Sequence, residues 1–235
     1  MGEPAGDEPV GPTLSEALRR DLVLFRGFIT RIKHTQLRQI APLTLRLLAL
    51  HRLDIALFAH MAPGYLRARA AAPLPTAALF ARFEHELREG LPSAPAPARH
   101  QVAAMLRHEA QIWRTGRSAS LAGLAPYPRL RPGTVVERFD LDVLTLAKSL
   151  CADRFTVPAT VEDDRFVLYR SDGDTVVVEE IDPFSAWLLS RLDGTAAPAS
   201  LAAELAEALG ADAASAVRDL LADAAARGLL DPAEA

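Results

Sequence analysis

The spacing of apolar residues changes along the chain. Through the first half they recur at helical intervals. Near Thr134 and again from Arg165 they alternate, and after Asp182 the helical interval returns. Leu18, Leu22, Phe25, Phe28, Ile29 and Ile32 predict an amphipathic helix that starts at Thr13 or Ser15. Thr35 opens a second helical stretch, which Pro42 must interrupt because proline lacks an N–H and clashes with the preceding turn. Leu43 to His60 is apolar around most of its circumference, so it is expected to be one central, buried helix ended by Pro63-Gly64. A helix capped by Thr76 presents Leu79, Phe80, Phe83 and Leu87. Another, His100 to Thr115, presents Val102, Met105, Leu106, Ala110 and Trp113, with a linker or turn at Pro92 to Pro97 between them.

The segment from Arg117 to Gly133 is rich in Gly, Pro, Ser and Arg and reads as a domain boundary. Thr134 to Phe139 alternates like a strand. Asp140 caps a short helix from Leu141 to Leu150, and Ala152 to Asp164 is an irregular crossing. Arg165 to Arg170 and Thr175 to Ile181 form a hairpin around Ser171-Asp-Gly-Asp174. Asp182 and Pro183 are a helix start signal, and Asp193-Gly194 ends that helix. Helices from Ala199 to Leu209 and Ala213 to Arg227 follow, closed by Gly228-Leu-Leu230. A hairpin followed by three short helices is the pattern of a small winged-helix module. The expected fold is mainly α: a disordered tail at 1–12, a helical domain at 13–116, a linker at 117–133, and an α+β winged-helix module at 134–235 with a three-stranded sheet and three helices.

Composition and charge refine this picture. The 235 residues suit one large domain or two small ones, and a core of Leu, Ala and Val favours helix. One cysteine, Cys151, excludes an intramolecular disulfide, and no apolar run has the ~20 residues that span a bilayer, so a cytoplasmic protein is expected. The net charge of −4 hides an asymmetry. Leu14 to Ala70 is strongly basic, whereas the chain after Thr160 is strongly acidic, which suggests different partners for the two halves or attraction between them.

No phosphate-binding glycine loop, Gly-x-Ser-x-Gly elbow or His-Glu-x-x-His motif is present. His100 and His108 lie two turns apart with Glu109 adjacent, which allows a metal site to be imagined, but solvent-facing or hydrogen-bonded histidines fit the spacing better. His85 reads as part of a solvated helix face. Cys151 lacks a neighbouring histidine or basic pair, so it is expected to be an indifferent thiol rather than a nucleophile. The chain is therefore expected not to be an enzyme by itself, to hold no metal or cofactor, and to act through a partner.

The winged-helix pattern offers two ligands. A transcriptional regulator would place its third helix in the DNA major groove. That helix carries Asp212, Asp219 and Asp223 against Arg218 and Arg227, and the hairpin turn carries Asp172 and Asp174, so phosphates would be repelled. A peptide adding to an edge strand is the better expectation. The expected peptide-binding residues are Thr175, Val176, Val177, Val178, Glu179, Glu180 and Ile181 on the strand, with Val217, Leu220, Leu221 and Ala224 on the helix.

Val167-Leu-Tyr-Arg170, Val176 to Ile181, Asp182-Pro-Phe184, Trp187-Leu-Leu189, Leu192-Asp-Gly194 and Arg227-Gly-Leu-Leu230 resemble a PqqD-like domain, the RiPP recognition element. Such domains bind the leader parts of ribosomally made, modified peptides. The resemblance implies that the peptide adds to the strand Thr175 to Ile181 and touches the helix Ala213 to Arg227. With the helical region ahead of Val135-Val-Glu-Arg-Phe-Asp140, the chain is also similar to the small partner subunits of multinuclear non-heme iron oxidative enzymes, as in methanobactin and thiaglutamate pathways. That similarity implies a non-catalytic, hetero-oligomeric partner. Its helical domain docks on a TIM-barrel enzyme that holds the iron, and the precursor's cysteines are presented to that enzyme. It implies neither nucleic-acid nor membrane binding. The long segment between Leu150 and Arg165 and the charged pair Glu179-Glu180 depart from the family's pattern.

Overall fold

The computed structural model describes residues 35–58, 60–61, 75–91, 94–117, 125–152 and 164–231. The expected tail, the helix through Leu18 and Ile32, and most of the crossing before Asp164 lie outside the described residues. The elements are α1 (Thr35–Ile40), α2 (Pro42–Leu50), α3 (Thr76–Gly90), α4 (Ala96–Thr115), β1 (Thr134–Phe139), α5 (Val143–Cys151), β2 (Arg165–Asp172), β3 (Thr175–Ile181), α6 (Pro183–Ser190), α7 (Pro198–Leu209) and α8 (Ala213–Ala226). Among the described residues no helix is long and apolar enough to cross a membrane.

Pro42 restarts the helix as its chemistry demands: α1 ends at Ile40, and the ring occupies the first turn of α2, where a missing N–H costs nothing. The expected single helix from Leu43 to His60 is broken. Leu53 N–H donates to Leu48 O (2.8 Å) and Arg52 N–H to Ala49 O (3.0 Å), which is a Schellman closure, with Arg52 at φ 57° where glycine is usual. Helix resumes at 54–58. The central helix is instead α4, which packs against α1, α2, α3, α5 and all three strands. It begins at Ala96 rather than His100, because Pro95 and Pro97 fall at the cap and in the first turn, where proline breaks no helical hydrogen bond. Likewise Asp142, not Asp140, caps α5, accepting from Thr145 N–H at 2.9 Å.

The three strands form one antiparallel sheet in the order β1-β2-β3. Side chains alternate between its faces. Phe139, Val167 and Tyr169, with Val176 and Val178, join one core with α1 to α5. Leu168, Val136 and Ile181 join a second core with Leu188, Leu189, Leu201, Val217 and Ala224 of α6, α7 and α8. The mainly helical chain thus places a small sheet between two helical layers, an α+β arrangement.

Asp182 starts α6 as the sequence signalled. Its carboxylate accepts from Ser185 N–H (2.9 Å) and from the Ser185 hydroxyl (2.5 Å). The hydroxyl bond in particular holds its pKa below the ordinary value. At the far end of the module, Leu229 N–H bonds to Ala224 O (2.9 Å) and Gly228 adopts φ 67°, so a second Schellman closure ends α8.

Candidate functional site

The hairpin fixes which backbone groups of β3 face outward. Asp172 pairs with Thr175 around Gly173-Asp174, and Gly173 has φ 62°, the requirement of a type II′ turn at its first central position. The residues flanking such a turn form a hydrogen-bonded pair, and bonded pairs then alternate with unbonded ones. Ser171 N–H confirms the phase, since it donates to Gly133 O on the β1 side (3.1 Å). Thr175, Val177, Glu179 and Ile181 therefore direct their backbone groups to β2. Val176, Val178 and Glu180 direct theirs away from the sheet. Among the described residues no strand pairs with that outer edge.

The side chains of β3 divide between two faces. Val176 and Val178 pack toward α4, with Val176 Cγ2 close to Gly116. Ile181 packs into the second core, Thr175 is exposed, and Val177 is half-buried and outside both cores. Glu180 is exposed and pairs with Arg165 Nη1 (2.7 Å). Glu179 accepts a hydrogen bond from Arg227 Nη2, which also bonds β3 to the C-terminal end of α8. Arg227 lies 3.4 Å from Asp223 as well.

That bond orients α8. Val217 and Ala224, 1% and 2% exposed, form its buried stripe and cannot touch a ligand in this arrangement. Leu220 lies two turns from Arg227 on the flank toward β3, whereas Leu221 lies on the opposite flank. Of the expected binding residues, the structure thus sets the outward backbone of Val176, Val178 and Glu180 along one edge and ties Glu179 to the end of α8 through Arg227, while Leu220 and Leu221 pack against the second core. It assigns Val217 and Ala224 to the core. Arg227 was not among the expected site residues, although its spacing from Leu220 carried the signal. Arg170 was also missed: it stands across from Val177 on the α8 face, with Nη1 3.9 Å from Asp172 Oδ2. Its Nε is buried without a hydrogen bond among the described residues.

His100 and His108 take different partners. His100 pairs with Asp140 (2.9 Å). His108 is buried, and its Nδ1 lies 2.7 Å from the Tyr169 hydroxyl, joining α4 to β2. Burial pulls the His108 pKa down to about 4, and burial likewise raises that of Tyr169. Glu109 turns the other way and supplies the cap that α2 lacks, since the Ala41 methyl cannot accept a hydrogen bond. Its carboxylate accepts from Leu43 N–H (2.7 Å), Thr44 N–H (2.9 Å) and the Thr44 hydroxyl (2.6 Å). Burial raises its pKa, and these three bonds oppose the rise without cancelling it. No group of three metal-ligating side chains occurs among the described residues. Cys151 is exposed at the end of α5. A cleft of about 360 Å³ lies between α3 and α4, with Leu87, Leu91, Val102 and Leu106 among its lining residues.

No protein-family model matches the chain, and no curated protein matches it either.

Proposed function

We propose that the chain is a non-catalytic partner protein in the biosynthesis of a ribosomally made, modified peptide. In this reading the leader part of a precursor adds to β3 as a further strand and lays its side chains into the groove toward α8. The carrying observation is the outward-facing edge of β3 at Val176, Val178 and Glu180, with which no strand pairs among the described residues and which Glu179 ties to the end of α8 through Arg227. An open edge is a template for main-chain pairing. The resemblance to PqqD-like winged-helix domains supports the same groove. The similarity to partner subunits of iron oxidative enzymes extends it: the helical half docks on the enzyme, and the iron and the oxidative chemistry reside there. A DNA-binding role is disfavoured by Asp219 and Asp223 on α8 and Asp172 and Asp174 on the hairpin.

The test is calorimetry of the full chain with the precursor encoded beside its gene, comparing the wild type with Glu180→Pro. Proline is tolerated on an edge strand where its missing N–H points outward, and it obstructs an incoming strand. The expected result is leader binding that Glu180→Pro weakens about tenfold or more, with an unchanged melting temperature. No binding by the wild type, or binding indifferent to Glu180→Pro, overturns the reading.

A further inference from the structure

The cleft between α3 and α4 combines an aliphatic floor with a basic mouth. Leu87 and Leu91 stand one turn apart at the end of α3, and Val102 and Leu106 one turn apart on α4. All four are buried, so neighbouring side chains hold them in place. No aromatic side chain is among the described lining residues. The volume of about 360 Å³ falls at the small end of ligand sites, which run from about 300 to 1,000 Å³.

Charge gathers in the same lining: Arg88, Arg99 and His100 against Glu84. Arg88 lies 3.4 Å from Glu84, but both side chains are at least half exposed, and such a pair holds its partners weakly. His100 is taken by Asp140 at 2.9 Å. Arg99 is exposed and has no side-chain hydrogen bond or ion pair among the described residues. The first turn of α4 opens here too, with Ala96 in the lining and no side-chain cap, so the positive end of the helix adds to the potential of Arg99.

We propose that this cleft binds a small organic anion: a carboxylate head on an unbranched aliphatic body. The body lies over Leu87, Leu91, Val102 and Leu106, and the head meets the guanidinium of Arg99, whose planar fork suits a carboxylate. None of the described lining residues belongs to the sheet, so this site stands or falls separately from the peptide reading.

Titration of the full chain with octanoate, octanol and octyltrimethylammonium, followed by amide chemical shifts in NMR, tests it. The three probes share a body and differ in the charge of the head. Two variants are compared with the wild type, each checked for an unchanged melting temperature. Arg99→Glu reverses the charge at an exposed position, and Ala103→Phe fills the cleft from another exposed lining position. Octanoate should bind about tenfold more tightly than octanol, and octyltrimethylammonium more weakly than either. Arg99→Glu should weaken octanoate about tenfold and leave octanol unchanged, whereas Ala103→Phe should weaken both about tenfold. Should Ala103→Phe fold poorly, the shift map of the wild type decides the location, with changes expected at Leu87, Leu91, Val102 and Leu106. Octanol binding as tightly as octanoate, or octanoate binding that ignores Arg99→Glu, overturns the anion assignment. Shifts that fall outside the cleft, or no saturable binding of any probe, overturn the site itself.

Discussion

At the scale of single residues, buried polar groups set how the protein responds to pH. His108 has its pKa pulled from the ordinary 6.5 down to about 4 by burial. The folded state therefore binds fewer protons than the unfolded chain between those values. The stability associated with neutral His108 is complete above pH ~6.5 and is lost as pH falls through ~4, up to about 3 kcal/mol. Glu109 acts in the opposite sense. Its raised pKa makes its contribution greatest in acid and smaller as pH rises through the folded value. Urea denaturation followed from neutral pH to acid should show the His108 loss. The variant His108→Leu/Tyr169→Phe, which removes both partners of one buried hydrogen bond, should flatten that acid slope. A slope unchanged in the double variant would assign it to other groups.

At the scale of elements, the helix α2 depends on a carboxylate from another helix. Glu109→Ala would leave Leu43 N–H, Thr44 N–H and the Thr44 hydroxyl without their acceptor in a buried setting. A cost of about 2–4 kcal/mol in urea denaturation is expected, larger than an exposed cap would give. A loss under about 0.5 kcal/mol would mean that water replaces the carboxylate. This cap also explains what the sequence conveyed and what it withheld. Asp182-Pro183 announced α6 because the cap, the ring and the first turn are neighbours in the chain. The cap of α2 was invisible because Glu109 and Thr44 meet only in the folded state. The break after Leu50 was hidden for a different reason. It uses Arg52 at positive φ, a conformation for which glycine is the usual signal. The hairpin and the three helices after it were legible from alternation and helical spacing. The division of the site was not: Val217 and Leu220 are alike in the sequence, and only the Glu179–Arg227 bond shows which flank of α8 faces β3.

At the scale of the whole molecule, the sheet is shared. Its Tyr169 face belongs to the helical half and its Leu168 face to the closing helices, so the hairpin is held from both sides, and among the described residues no strand pairs with its outer edge. The charge divides in the same way, with arginines prevailing early in the chain and carboxylates late. That separation suits a protein that touches one macromolecule with its helical half and another with its groove. The central claim is that a peptide pairs with the edge of β3. Amide hydrogen exchange, read residue by residue by NMR with and without a saturating bound peptide, tests it most directly. Strand addition predicts new protection at alternate amides, Val176, Val178 and Glu180. Thr175, Val177, Glu179 and Ile181, already bonded to β2, should change little. Protection that misses these three amides while the peptide is bound, or that falls instead on the α3–α4 cleft, would contradict the account.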